Sequence, residues 1–269
     1  MRHFNELLQA QWSRGKFLCV GLDPDLEKIP VSQRKSGTEE TLTSFDRSIV
    51  DAVAEHVCAF KLNSAFYEVH GDEGWRAMRS TIAYIEECAP EVPVILDAKR
   101  ADIGNTSEAY ARAAFDHLRA DAITVNPYLG SDGLKPFFDR SEKGVFVLCH
   151  TSNKSAAEIQ DLEVGGESLY KIVAKNVQQW NTNGNAGIVM GATYPEQLRE
   201  VRAVVGNIPM LIPGIGTQAG DLEKVVEYAK DNKGQGFIVS VSRDIIYAQN
   251  PKSRAMHFDA MIRAAIKER

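Results

Sequence analysis

Eight short apolar runs, rich in β-branched residues, punctuate the chain: Phe17–Leu22, Val57–Leu62, Val92–Leu96, Ala122–Asn126, Val145–Cys149, Gly187–Met190, Met210–Pro213 and Phe237–Val241. Between them lie stretches with helical spacing of apolar residues, among them Leu42–His56, Trp75–Ala89, Ser107–Arg119, Ser168–Trp180, Pro195–Val205 and Leu222–Lys230. A strand that is apolar at nearly every position is buried on both faces, which requires a parallel sheet covered by helices. Eight such units within 269 residues fit an α/β architecture of the (β/α)8 TIM-barrel type. Periodicity alone does not count closure, so an open doubly wound sheet stays in play at this level. No linker, charge run or low-complexity tract divides the sequence, and residues 1–269 are read as one catalytic domain.

Composition narrows the function classes. A formal net charge of −5 leaves no overall basic surface, so neither nucleic acid nor an anionic membrane is expected as a partner. Any phosphate must then be caught by a few aimed groups. The four cysteines, Cys19, Cys58, Cys88 and Cys149, form no CxxC pair and read as reduced thiols. The opening MRHFNELLQAQWSRGKFLCVGLD is broken by charges before an apolar secretion-type core develops. No apolar run approaches the ~20 residues of a membrane span. A soluble, cytoplasmic protein is expected. Two connections are long for a barrel, Asp23–Thr41 and Thr151–Glu167. Such loops at the C-terminal rim carry substrate contacts and lids, a mobile surface insertion being the plain alternative.

Polar residues at the strand ends carry the functional reading. The third run continues VPVILDAKRADIGNT, changing abruptly from apolar to charged at Asp97. Residues two apart in a strand share a face, so Asp97 and Lys99 should both point into the barrel mouth and Arg100 elsewhere. Lys61, in the FKLN ending the second run, should stand beside them, giving a Lys61–Asp97–Lys99–Asp102 array. A structural ion-pair network is the alternative. Desolvation makes buried ion pairs poor stabilisers, so four ionisable groups at the functional face are better explained by chemistry. Near the other end of the chain, Pro213-Gly214-Ile215-Gly216-Thr217-Gln218 and Ser242-Arg243 follow the seventh and eighth runs, where barrel enzymes often bind phosphate. Glycines let backbone N–H groups approach an anion, and an arginine fork suits its oxygens.

The tract Leu96–Ile103 (LDAKRADI), taken with Asp23, Lys61, the PGIG turn and Arg243, resembles the orotidine 5′-phosphate decarboxylases over essentially the whole chain. The long loops and the tract Asn126–Phe138 resemble the longer bacterial branch of that family. The resemblance implies a barrel without cofactor or metal that converts orotidine 5′-monophosphate to uridine 5′-monophosphate and CO2, the last step of de novo UMP synthesis. It makes Lys99 the acid that protonates C6 of the pyrimidine, and sets Asp97 against the departing carboxylate. Lys61 and Asp97 would orient Lys99 and the ribose hydroxyls, and Asp23 would bind the ribose, although Asp-Pro is also a common turn pair. Asp102, Ile103 and Thr106 would reach the partner's site in a homodimer. Ser152 would contact the pyrimidine edge, and His150 reads as a satisfied rim histidine. Pro213, Gly214, Gly216, Gln218, Ser242 and Arg243 would hold the phosphate.

Three rival readings differ in chemistry. The Mg2+-dependent hexulose-phosphate synthases and keto-gulonate-phosphate decarboxylases share DxKxxD but carry a glutamate where this chain has Lys61, whose ammonium would repel a hard cation. A Schiff-base aldolase needs a neutral amine, whereas lysines flanked by aspartates stay protonated. A catalytically inert binding barrel has no support in a sequence that retains every named charge.

Overall fold

Burial is complete along most of the strands, as near-continuous apolar runs demand. The computed structural model describes residues 2–215 and 222–267. Among them, eight parallel strands close into a barrel: β1 (Leu18–Leu22), β2 (Ala59–Asn63), β3 (Val94–Arg100), β4 (Ala122–Val125), β5 (Gly144–His150), β6 (Ala186–Met190), β7 (Met210–Pro213) and β8 (Phe237–Val241). Each strand pairs with its neighbours in sequence, and β8 closes the ring on β1 through Leu18↔Val239 and Cys19↔Ser240. The closed (β/α)8 architecture is the expected one, and the open sheet is excluded.

Amphipathic helices wrap the barrel: α1 (Phe4–Ser13), α2 (Thr38–Val53), α3 (Gly71–Cys88), α4 (Gly104–Arg112), α5 (Gly130–Phe138), α6 (Leu169–Trp180), α7 (Pro195–Val205), α8 (Leu222–Ala229) and α9 (Pro251–Lys267). In α2 the buried Leu42, Phe45, Ile49, Val50 and Val53 recur at helical spacing and face the strands. Two elements differ from the sequence reading. Helix α4 ends at Arg112 and passes into a π turn over Ala113–His117, where an unbroken helix to Arg119 is expected. Strand β3 runs four residues past Leu96, because Asp97 and Lys99 bond each other and Thr124 of the adjacent strand and need no apolar side chain to stay in the ladder.

Helix α1, to which the sequence reading gives no role, seals the N-terminal end of the barrel. Its Phe4 ring meets Phe146 edge-on at 5.6 Å, and Trp12 donates to the Phe237 carbonyl at 3.0 Å. Just before it, Arg2 holds Asp121 through two hydrogen bonds of 2.9 and 2.8 Å. With that end plugged, the barrel opens at its C-terminal mouth, where barrel enzymes place their sites. The two long connections are ordered, one by a 3-10 turn at Val31–Gln33, the other by a 3-10 turn at Lys154–Glu158 and a hairpin pairing Glu163–Val164 with Glu167–Ser168. All four cysteines are free thiols, and only Cys88 is exposed. No described helix is long and apolar enough to cross a membrane.

Candidate active site

At the C-terminal mouth, neighbouring strands place ionisable side chains at nearly one level. On β2, Lys61 pairs in register with Ile95, one pleat below the Asn63↔Asp97 pair, and its long stem carries the ammonium up to Asp97. Lys61 Nζ lies 3.2 Å from Asp97 Oδ2 and 3.7 Å from Oδ1 of Asp23, which directly follows β1. Lys99 Nζ donates to Asp97 Oδ1 at 2.8 Å. Alternating charges therefore run Asp23–Lys61–Asp97–Lys99. The Lys61, Asp23 and Asp97 side chains are almost buried, while Lys99 is about half exposed, at 47%.

This row corrects the expected Lys61–Asp97–Lys99–Asp102 array. Within one chain Asp23 occupies the fourth place, and Asp102 instead accepts the N–H of its neighbour Ile103 at 2.8 Å. The cause is local: β3 bulges between Leu96 and Arg100, and Lys99 adopts a left-handed backbone conformation at φ 49°. That turn carries the chain out of the mouth before Asp102. Arg100 points away as expected, pairing with Glu68 and lying over the Tyr110 ring. Ile103 and Thr106 are exposed on the rim.

Thr124, on β4, is a site residue that the sequence reading misses. Its hydroxyl donates to Asp97 Oδ1 at 2.8 Å and accepts the Lys99 N–H at 3.0 Å, so one buried side chain fixes both groups. The available signal is a lone hydroxyl in the apolar run Ala122–Val125. Asn63 is a second omission: its N–H donates to Asp23 Oδ1 at 3.2 Å.

Electrostatics keep Asp97 and Lys61 charged. Burial alone would raise the Asp97 pKa, but attraction to Lys61 and Lys99, with hydrogen bonds from Lys99 and Thr124, brings it down to about 2. Burial would likewise lower Lys61, but Asp23 and Asp97 outweigh it and push its pKa up. An ammonium held this firmly suits charge stabilisation, not attack as a free amine.

Two adjoining cavities open over the row. One, of about 440 Å³, is lined by Lys61, Asp97, Lys99, Thr124, Ser152 and Pro213, with Thr151, Asn153 and Gln160 from the loop after β5. The other, of about 590 Å³, is lined by Asp23, Lys61, Pro213, Gly214, Ser242 and Arg243. Lys61 and Pro213 belong to both, making one trough with a ring-sized end beside Asp97 and an end with an exposed arginine. The Ser242 hydroxyl donates to the Gly21 carbonyl at 3.1 Å, which stitches β8 to β1. Gly216 and Gln218 lie outside the described residues. A larger groove of about 790 Å³ between α2 and α3 is lined mainly by hydroxyl and acidic side chains, and shares no residue with the charged row. His150 is fully buried, with Nε2 2.9 Å from Asp161 Oδ1 and Nδ1 unpartnered, so the rim histidine is only half satisfied.

Comparison with known proteins points in one direction. A curated relative named orotidine 5′-phosphate decarboxylase, from Cupriavidus metallidurans, is 46% identical over 94% of this chain and 92% of its own length. Another of that name, from Ralstonia pickettii, is 45% identical over 99% of this chain and 96% of its own. The solved structure of Leishmania donovani OMP decarboxylase superposes with a TM-score of 0.90 at 38% identity, covering 99% of this chain and all of that one. The model of the orotidine 5′-phosphate decarboxylase / HUMPS family matches residues 16–258, and with these relatives it shows that the chain belongs to that family.

Proposed function

We propose that the chain decarboxylates orotidine 5′-monophosphate to uridine 5′-monophosphate and CO2, with Lys99 as the proton donor. The observation that carries this reading is the Asp23–Lys61–Asp97–Lys99 row at the floor of a trough whose far end presents Arg243. The pyrimidine lies at the Asp97–Lys99 end, with its C6 carboxylate against Asp97 and its edge towards Ser152. The bond from C6 to the carboxylate breaks, and its electron pair stays on C6. Lys99 then gives its proton to C6, and solvent restores the ammonium. Two like charges face one another in the ground state, and that opposition fades as charge moves onto the ring carbon beside Lys99. Stabilisation that grows along the reaction coordinate is what lowers a barrier.

Asp23 and Lys61 hold the ribose hydroxyls, and Gly214, Ser242 and Arg243 receive the phosphate together with Gly216 and Gln218. In this reading residues 1–269 act as one catalytic domain in a cytoplasmic homodimer, with Asp102, Ile103 and Thr106 completing the partner's site. The exposed Ile103 (60%), Tyr128 (88%) and Leu129 (43%) support such a contact. A Cβ placed on Gly133 would stand 2.7 Å from Asp102 O and 3.3 Å from Leu129 Cβ, so Leu129 and the Asp102 turn are neighbours on one rim. The reaction needs no metal in this scheme, because Lys61 stands between the carboxylates that a cation would use.

The test is the loss of ultraviolet absorbance of orotidine 5′-monophosphate on purified protein in excess EDTA. Turnover without metal is expected. Activity only after Mg2+ is restored would move the chain to the metal-dependent side of its family. No activity under either condition would overturn the decarboxylase reading.

A further inference from the structure

The loop after β5 is held shut by two consecutive side chains. Gln160 accepts the Thr151 N–H on Oε1 at 2.8 Å, and its Nε2 donates to Thr151 Oγ1 at 2.8 Å. Asp161 Oδ1 lies 2.9 Å from Nε2 of His150. The returning chain thus grips His150, the last residue of β5, and Thr151, which follows it. The grip continues into α6, because the Tyr170 N–H donates to the Gln160 carbonyl at 3.0 Å.

Ser152 comes next, and its position depends on that grip. Its backbone lies against Gly191, where an added Cβ would stand 2.7 Å from Ser152 N. Its side chain faces Gly214, where a Cβ would stand 3.3 Å from Ser152 Cβ. Gly214 has φ +99°, a conformation that glycine adopts without strain. Ser152 is therefore wedged between the ends of β6 and β7, and the Gln160–Thr151 bonds stop it from lifting out. Gln160 lines the ring end of the trough, yet both polar atoms of its amide are committed to Thr151. Its role is to orient rather than to read the ligand.

We infer that Gln160, supported by Asp161, is a positioning residue for pyrimidine recognition, fixing Ser152 at the ring end without touching the phosphate end. This inference rests on the reading of the trough as the orotidine 5′-monophosphate site. Gln160→Met keeps the bulk and removes both hydrogen bonds. Losing both, at about 1 kcal/mol each, should raise KM for orotidine 5′-monophosphate roughly thirtyfold, with a much smaller change in kcat. Inhibition by ribose 5-phosphate, which lacks the base, should be unchanged, and the Thr151 amide should exchange with solvent faster.

Equal weakening of both ligands would mean general damage and would overturn the inference, as would an unchanged KM. Asp161→Ala, at a residue whose side chain is 35% exposed, breaks the other half of the grip. It should give the same ring-selective pattern at a smaller size, and it decides the matter if Gln160→Met does not fold. Absence of turnover by the unmodified protein would instead sink the decarboxylase reading, and this inference with it.

Discussion

Asp46 offers a quantitative test of how the barrel handles a buried charge. It lies on α2, fully buried, with Oδ2 accepting from Tyr67 at 2.7 Å and Thr81 at 3.1 Å, and with Oδ1 unpartnered. Burial raises its pKa from 3.8 to about 7, against the opposing pull of those two hydrogen bonds. The Tyr67 hydroxyl also stands 3.2 Å from the Leu22 carbonyl, but it has one proton to give. A neutral Asp46 can donate to Tyr67 and free that proton for Leu22, the residue before Asp23. Because the folded-state pKa is above the unfolded one, stability is greatest in acid and is lost as pH rises through about 7. At about 1.4 kcal/mol per pKa unit the whole loss is about 4 kcal/mol, of which roughly 3 falls between about pH 5 and pH 8.5. Asp46→Asn cannot ionise. Urea unfolding of both proteins, followed by circular dichroism, should show the variant gaining about 3 kcal/mol on the wild type across that interval. Comparing slopes removes any constant effect of the amide. Parallel pH profiles would show that Asp46 is not held neutral, and the reasoning would fail.

Three further expectations concern the site. Lys99→Ala should abolish turnover while binding of uridine 5′-monophosphate, measured by calorimetry, persists; equal loss of both would make Lys99 structural. Arg243→Ala should weaken phosphate-bearing ligands by roughly 10–100-fold, the worth of a charge-assisted hydrogen bond, and leave nucleosides nearly unaffected; equal effects would remove it from the phosphate end. Mixing inactive Lys99→Ala protein with inactive Asp102→Ala protein should restore some activity if sites are shared, and failure with mixed dimers demonstrated would count against the role in trans.

The barrel was legible in the sequence because eight apolar runs leave few other ways to bury both strand faces. Lys61, Asp97 and Lys99 were legible as a cluster because charge breaks into strand ends that are otherwise apolar. What alternation could not reveal was the bulge and left-handed backbone at Lys99, which carry Asp102 out of the row and leave its fourth place to Asp23. Thr124 is not legible in the sequence because a threonine in a buried strand is ordinary, and its hydrogen bonds are what mark it out. Helix α1 does carry a signal in the sequence, since Phe4, Leu8 and Trp12 repeat every fourth residue, the spacing of a buried helical stripe. Gln160 lay in a loop with no periodicity to read, and its importance arises from where the chain returns.

The backbone at Lys99 has a consequence for how this protein can change. A side chain in the left-handed region costs about 1–2 kcal/mol relative to an unstrained residue, and glycine escapes that cost. Relief of that strain alone would favour glycine at position 99. Lysine there opposes the local preference of its own backbone, held by Thr124 from the next strand and by the ammonium's bond to Asp97. A lineage released from the need for this side chain could relax its backbone only by giving up the bond that the ammonium makes to Asp97. Backbone strain and the side chain's bond to Asp97 are thus set against each other at one residue.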